Sequence, residues 1–222
     1  MYAFKFHFSD LTKVSIFILY IAFIYGYFCT NLDYYFTLQE LRYLSSREKL
    51  DDDSLDRFKL LAIAKDFVEI NCVGMWNRTP LMLACQKMKS KKLVQCVQTI
   101  LERPDVKINQ TDSCGMNALM YLCRYSRSKT IFEVASLLIG KGININQTDK
   151  YGNNALMRLF RRKQIPIDKI VQLAMLLVEK GINKDHKDNY GKDAKHYLIK
   201  NKHLIERMER LMLIIGPEQT HP

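Results

Sequence analysis

Apolar residues recur through the middle of the chain at the spacing of one helix face. Residues three and four positions apart lie on the same side of an α-helix, so such a pattern predicts an amphipathic helix. The pattern occurs three times, and each occurrence predicts one helix with a single buried face. The apolar positions are Leu93, Cys96, Val97, Ile100 and Leu101, then Ile131, Val134, Ala135 and Leu138, then Ile170, Leu173, Ala174 and Leu177.

A shorter phrase precedes each of these helices and sets the length of a repeating unit. It reads Thr79–Met82, Asn117–Met120 and Asn154–Met157, with a decayed fourth copy at Asp193–His196. The steps between copies are 38, 37 and 39 residues. A period of this size indicates stacked structural repeats. The Thr or Asn that opens three of the copies suits a helix N-cap, so each phrase is predicted to begin a second, inner helix.

The second, third and fourth units also contain a turn in which a glycine follows an aspartate by three residues. Together with the helices, this turn resembles the ankyrin repeat, whose consensus runs Asp-x-x-Gly-x-Thr-Pro-Leu-His, inner helix, outer helix, Gly-Ala-Asp-x-Asn. The resemblance extends over roughly residues 70–192. It implies an all-α ankyrin-repeat solenoid of stacked helix-turn-helix units with hairpin-like turns. The matching residues are Asp112, Gly115, Leu119, the run Leu137–Asn146, and Leu176 through Gly181 to Asp185.

Two departures from the consensus change the expected details. The consensus histidine is replaced by Met82, Met120 and Met157, which we expect to lie in or near the core. Each unit is also four to six residues longer than the usual length of about 33. The extra residues fall between the inner and the outer helix. They predict either a longer connection or an extended inner helix.

The resemblance and the hydrophobic start together divide the chain into seven segments. They amount to about four repeats plus caps, preceded by a hydrophobic segment. They are 1–34, a hydrophobic signal-anchor or signal segment; 35–74, an N-terminal capping helix pair; 75–111, 112–148 and 149–187, three ankyrin repeats; 188–216, a degenerate C-terminal capping repeat; and 217–222, a tail.

The first segment raises the question of a membrane. Residues 14–32 are 19 consecutive uncharged residues. A helix of this length just spans a hydrocarbon core of about 30 Å. An uncleaved signal-anchor is the first interpretation, while a cleaved signal and an apolar helix docked on the first repeat stay open. We therefore expect a membrane-associated or exported protein. Cys85 and Cys123 look like free core thiols and no disulfide framework is visible, so a cytoplasmic location is the alternative.

The net charge of +11 is concentrated between the inner and outer helices. No acidic residue interrupts these clusters, and stacking should align them into one stripe, which we call the basic edge. It is either a solvated face or a contact for an anionic partner: an acidic protein, nucleic acid or membrane headgroups. The basic edge consists of Lys87, Lys89, Lys91, Lys92, Arg124, Arg127, Lys129, Arg161, Arg162, Lys163, Lys200 and Lys202.

The resemblance implies a second candidate surface, because ankyrin-like proteins commonly hold partners with their turn tips. Trp, Tyr and Arg are enriched in interface hot spots. Packing of the aromatic rings against the neighbouring tip is the alternative. The predicted turn tips are Trp76, Arg78, Met116, Tyr151, Asn153, Tyr190 and Lys192.

Candidate chemistry for catalysis is sparse. None of the five histidines pairs with Cys or Ser in a nucleophile motif, and no Gly-rich phosphate loop is visible. No cysteine pair has zinc-ligand spacing, so neither a metal nor a cofactor is expected. The sequence favours a monomeric, non-enzymatic module for protein–protein interaction, whose partner is an unknown protein that the basic edge would suit if it is acidic. The alternatives are a basic nucleic-acid or chromatin binder and a scaffold on an anionic membrane surface.

Overall fold

The structure is a computed structural model that describes residues 40, 43–44, 70–71, 73, 75–87, 92–162, 166–201 and 216. The predicted hydrophobic segment 1–34, most of the capping pair 35–74 and the tail 217–222 lie outside the described residues. Within the described residues, no helix is long and apolar enough to cross a membrane. The predicted span 14–32 lies outside them.

Between residues 80 and 200 the structure describes seven α-helices, which alternate between an inner and an outer row. The inner helices pack in succession, α1 on α3, α3 on α5 and α5 on α7, and the outer helices do the same. No strand occurs among the described residues. The prediction of an all-α stack is confirmed. The helices are α1 (Pro80–Lys87), α2 (Lys92–Leu101), α3 (Ala118–Tyr125), α4 (Ile131–Gly140), α5 (Ala155–Phe160), α6 (Ile167–Glu179) and α7 (Ala194–Lys200).

Side-chain caps start the inner helices where the repeated phrase predicts them. Asn117 and Asn154 each accept a hydrogen bond from the backbone N–H three residues on, at 3.0 Å. Thr79 does the same at 3.3 Å and Asp193 at 2.8 Å. Each bond satisfies one of the amide groups that a helix start leaves without an intrahelical partner.

The core lies between the two rows, and the predicted apolar faces are buried in it. Met82, Met120 and Met157 are at most 1% exposed, which places them in the core. Cys85 and Cys123 are fully buried free thiols. Burial raises the pKa of both thiols, that of Cys123 to about 12, so both stay protonated at neutral pH.

Asparagine side chains hold successive units in register. The Asn146 side chain accepts from the Asn183 N–H at 2.7 Å and donates to the Gly181 carbonyl at 3.1 Å. Asn109 makes the equivalent pair of bonds one unit earlier, to residues 144 and 142. Each of these asparagines follows an isoleucine, in Ile108-Asn109 and Ile145-Asn146, so a repeated Ile-Asn pair supplies a series of side-chain to backbone bonds along the stack.

The extra length of the repeats does not extend the inner helices, which are only six to eight residues long. The predicted alternative of an extended inner helix is therefore wrong. In the second unit the connection 126–130 alternates between buried Ser126, Ser128 and Thr130 and exposed Arg127 and Lys129. The connection is thus anchored by small polar side chains while its basic side chains face solvent.

Candidate functional site

The second, third and fourth turn tips are hairpin-like turns built around an aspartate. Asp149 Oδ1 accepts from the N–H groups of Tyr151 and Asn153, both at 2.9 Å. The Gly152 N–H donates to the Asp149 carbonyl at 2.8 Å, and Gly152 has a φ of 77°, which favours glycine. Asp112 and Asp188 organise their turns in the same way.

Neighbouring tips are joined by one backbone hydrogen bond each. The Lys150 N–H donates to the Cys114 carbonyl at 2.8 Å, and the Asn189 N–H donates to the Tyr151 carbonyl at 3.0 Å. Despite this stacking, Tyr151 remains 46% exposed and Tyr190 69% exposed. The tips therefore present their aromatic rings to solvent.

The first tip is joined to the second, because the Ser113 N–H donates to the Trp76 carbonyl at 2.9 Å, but its residues and backbone differ from those of the other tips. Trp76 is 59% exposed and has a positive φ, as does Asn77, which stands where the other tips have glycine. Arg78 donates to Gln86 at 3.4 Å, and its guanidinium lies 5.8 Å from the ring centre of Tyr121. Neither Trp76 nor Arg78 lines the clefts described below.

Below the second, third and fourth tips, the second oxygen of the aspartate binds a side chain nine residues further along the chain. Asp112 accepts from the Tyr121 hydroxyl at 2.7 Å, and Asp188 accepts from the Tyr197 hydroxyl. In the unit between them, this position is Arg158, which forms an ion pair with the buried Asp149. The second and fourth units thus use a neutral tyrosine hydroxyl at this position, whereas the third unit uses a buried arginine guanidinium.

These bonds shift the pKa values of the groups in a consistent way. Burial and the hydrogen bond to Asp188 raise the pKa of Tyr197 to about 12. Burial and the hydrogen bond to Asp112 also raise the pKa of Tyr121. For Asp188, burial favours the neutral acid, but the Tyr197 hydroxyl, two backbone N–H groups and the Lys192 charge outweigh it and lower the pKa.

A cleft of about 580 Å³ opens between the third and fourth tips and the inner helices α5 and α7. Its lining combines four predicted turn-tip residues with three residues of the predicted basic edge. The two surfaces therefore meet in one place, although they were expected to be separate. The lining residues are Arg124, Tyr151, Asn153, Arg158, Arg161, Asp188, Tyr190, Lys192, Tyr197, Lys200 and Asn201.

A second cleft of about 390 Å³ adjoins the first. It is lined by Arg124, Tyr125, Arg127, Arg158, Arg161 and Arg162. Three of these residues, Arg124, Arg158 and Arg161, line both clefts, and we call them the arginine triad. The two clefts together form what we call the basic groove.

Three residues predicted to contact a partner are buried instead. Met116 is 4% exposed and Asn153 1% exposed, because both follow the tip into the start of the inner helix. Arg162 is 7% exposed and donates to the carbonyls of Cys123 (3.3 Å) and Ser126 (2.5 Å), which end helix α3. Asn153 and Arg162 still line the first and the second cleft, respectively, and a contact with a partner stays a prediction for all three residues.

The rest of the predicted basic edge is only partly described. Arg127, Lys129, Arg161 and Lys200 are exposed, and Lys92 is half-buried. The side chain of Lys87 is outside the description. So are the residues Lys89, Lys91, Lys163 and Lys202.

Sequence reasoning missed Arg158 altogether. The signal that would have found it is the spacing of nine residues between each tip aspartate and its partner. Tyr121 and Tyr197 occupy this position in the flanking units, so an arginine there is the exception. Because it is paired below the tip yet lines both clefts, Arg158 forms part of the floor of the groove.

The groove is chemically suited to an anion. Helices α1, α3, α5 and α7 contain no Asp or Glu, and Asp188 is the one carboxylate among the described lining residues. Its oxygens already accept from Tyr197 and from backbone N–H groups. Within the described part of the chain, no group of His, Cys, Asp and Glu side chains is arranged to hold a metal ion.

The comparison with known families agrees with this architecture. Residues 81–167 match the family model described as ankyrin repeats (3 copies). No curated protein matches the chain. Proteins with such repeats are typically non-enzymatic modules for protein–protein interaction. The matched region and the stacked helix pairs show that this part of the chain is built of ankyrin repeats.

Proposed function

We propose that the basic groove binds an acidic, extended segment of a protein partner and carries out no catalysis. The observation that supports this proposal is the meeting of the tip tyrosines with the arginine triad in one cleft of about 580 Å³. Ligand sites of about 300–1,000 Å³ bury a ligand effectively. The cleft is therefore large enough for several side chains of a bound segment.

The residue types on the two sides of the groove support a peptide as the ligand. Tyr151 and Tyr190 offer exposed rings, which supply large contact areas at low cost in conformational entropy. Lys192 and Lys200 add charge beside them. Arginine forks bind carboxylates with two parallel hydrogen bonds. An acidic segment with apolar or aromatic residues between its acids would satisfy both kinds of contact.

Single-stranded nucleic acid is the rival ligand, because aromatic side chains beside basic ones also suit stacked bases and phosphates. The two ligands differ in salt dependence. Nucleic-acid affinity falls steeply with salt, in proportion to the number of phosphates neutralised. A peptide that is also held by ring contacts should lose less affinity over the same range.

The test compares the full-length chain with two double variants that each remove two positive charges. Arg124→Gln/Arg161→Gln changes the groove, and Lys141→Gln/Lys180→Gln changes exposed lysines at the ends of the outer helices. The probes are a fluorescent degenerate peptide library rich in Asp and Glu, and a fluorescent poly(U) 20-mer, measured by anisotropy.

We expect the acidic library to bind the wild type and the lysine variant alike, and the groove variant at least about tenfold more weakly. Equal binding by all three proteins would contradict the proposed site. Tighter binding of poly(U) than of the peptides, with a steep salt dependence, would replace the proposed function with the rival.

We also propose that residues 14–32 tether the chain to a membrane, with export or a cytoplasmic location as the alternatives. The support is the run of 19 uncharged residues. After alkaline extraction of membranes, the intact chain should remain in the pellet. An Ile18→Arg/Ile21→Arg variant should be released, since central arginines oppose insertion. Release of the intact wild-type chain would contradict the tether.

A further inference from the structure

Three guanidinium groups border the junction of the two clefts. Arg124 lies at the end of α3, Arg158 within α5 and Arg161 directly after α5, so two adjacent repeats contribute to one place. Arg158 is only 6% exposed and still lines both clefts. The junction is therefore a built feature of the stack, since one of its three members is fixed in the interior.

The triad carries more positive charge than its neighbours neutralise. Arg158 pairs with Asp149. Arg161 donates to the amide oxygen of Asn153 at 3.0 Å and lies 4.6 Å from the ring centre of Tyr197. Arg124 lies 5.0 Å from the ring centre of Tyr125. The groups that contact the guanidiniums of Arg161 and Arg124 are thus neutral, and they leave the charge of both arginines uncompensated.

The surroundings add further positive charge. Arg127 and Arg162 line the second cleft together with the triad, and no carboxylate does so among the described residues. Burial, and to a smaller extent the charge of Arg127, lower the pKa of Arg162. Like charges gathered at one site without acids disfavour one another, and an anionic ligand relieves that repulsion.

The number of donors favours one kind of anion. A carboxylate carries a single charge and two oxygens, which one arginine fork can satisfy. A phosphorylated side chain carries a charge of about −1.5 to −2 and three strong acceptor oxygens. Three convergent guanidiniums therefore match a phosphomonoester better than a single Asp or Glu side chain.

We propose that the arginine triad binds the phosphate group of a phosphorylated residue in the partner's segment. This inference rests on the proposed function, because the rest of the segment would occupy the larger cleft beside Tyr151 and Tyr190. Recognition of phosphorylated motifs by arginine clusters is a general mode of peptide binding. Phosphorylation of the partner would therefore strengthen its binding to the groove.

The test uses the full-length chain and three degenerate nonapeptide libraries that differ only in the central residue: phosphoserine, glutamate or serine. Vesicles that contain a phosphoinositide form a fourth arm. We expect the phosphoserine library to bind at least about tenfold more tightly than the glutamate library, and the serine library to bind most weakly.

The structure supplies a variant that should keep the fold. Arg158→Tyr places at this position the residue type that bonds the tip aspartate in the flanking units, as Tyr121 does with Asp112 at 2.7 Å. It should retain the thermal stability of the wild type and lose the preference for phosphoserine. Arg161→Lys is the second variant. It keeps the charge but removes the planar fork, so it should also reduce the preference.

Each outcome decides a different statement. Equal binding of the phosphoserine and glutamate libraries would overturn the phosphate inference and leave the acidic-segment proposal standing. Absence of binding by every library would overturn both. Tighter binding of the phosphoinositide vesicles than of any peptide would assign the triad to a lipid headgroup and overturn the inference. A preference that survives in Arg158→Tyr and Arg161→Lys would also overturn it.

Discussion

The inner and outer rows of helices are built from the same repeat, yet they differ in charge. The inner helices α1, α3, α5 and α7 contain no acidic residue. Among the outer helices, α4 contains Glu133 and α6 contains Asp168 and Glu179. Mixed charge is ordinary for a solvated surface, whereas a one-sided face attracts ligands of the opposite sign. Among the described helices, the excess of positive charge therefore lies in the inner row.

The same contrast occurs within the inner row, at the position nine residues after each tip aspartate. Tyr121 and Tyr197 bind their aspartates with a neutral hydroxyl, whereas Arg158 binds Asp149 as a buried ion pair. A buried pair costs desolvation and makes either partner expensive to remove. The third repeat therefore carries a buried charge in the floor of the groove that its neighbours do not.

The largest expected effect breaks this pair. Asp149→Asn leaves an oxygen for the turn N–H groups but leaves Arg158 buried without its counter-charge. It should lower the free energy of unfolding by about 3–5 kcal/mol. Asp112→Asn is the matched control, because the partner there is the Tyr121 hydroxyl, and it should cost only about 1 kcal/mol. Urea unfolding followed by circular dichroism measures both. Equal losses of stability in the two variants would contradict the extra cost that we assign to leaving Arg158 buried without a counter-charge.

A second prediction concerns the stacking of the third and fourth tips, which form a wall of the groove. A Cβ at Gly152 would lie 2.8 Å from the backbone nitrogen of Asn189, whereas one at Gly191 would meet nothing within 4 Å. Both glycines have a positive φ, so an alanine is strained at either position.

The difference in stability between the Gly152→Ala and Gly191→Ala variants therefore measures the effect of the contact between the third and fourth tips. Gly152→Ala should be less stable by about 1–3 kcal/mol, because the overlap forces the backbone of the fourth tip to move. It should also weaken binding of the acidic peptide library, while Gly191→Ala should not. If the two alanine variants have the same stability and the same affinity, the close approach of the tips is unimportant.

A smaller effect is expected from pH. The pKa of Asp188 is lowered in the folded protein, so its contribution to stability is present above its ordinary pKa of about 4 and is lost as the pH falls through the folded value. Tyr197→Phe removes one cause of the shift. The stability difference between wild type and variant should shrink on acidification below about pH 4. A difference that is constant from pH 7 to pH 2 would contradict this assignment.

Much of the stack can be predicted from the repeat alone. Equivalent residues perform equivalent tasks, so the N-caps Asn117 and Asn154, the buried methionines and the positive-φ glycines follow once the register is known. These features depend on local geometry within one unit. A single sequence contains that information because equivalent residues recur at the same position in successive repeats.

The groove could not be predicted in the same way, because it depends on where each side chain points. Arg161 and Arg162 are adjacent in sequence, but Arg161 is exposed at the groove while Arg162 turns inward to cap helix α3 of the preceding unit. The period identifies both as residues after an inner helix. Only the packing of one unit against the next determines which of the two side chains is buried and which is exposed.

The same limit explains why the tips and the bases were expected on separate surfaces. Their distance along the chain within one unit is large, but the tip of one unit lies beside the inner helix of another. Tyr190 and Arg124 line the same cleft although they belong to different repeats. The contact is created by stacking, and no spacing within one repeat reports it.

The most direct test of the central claim asks which face touches the partner. The photoreactive residue p-benzoylphenylalanine is placed at Tyr190 in the groove or at Phe132 on outer helix α4, which are 69% and 40% exposed. Irradiation of cells that produce the full-length chain should give a covalent adduct with an acidic protein from position 190. That adduct should disappear in the Arg124→Gln/Arg161→Gln background. Adducts from position 132 alone, or adducts from position 190 that survive the two substitutions, would contradict the account.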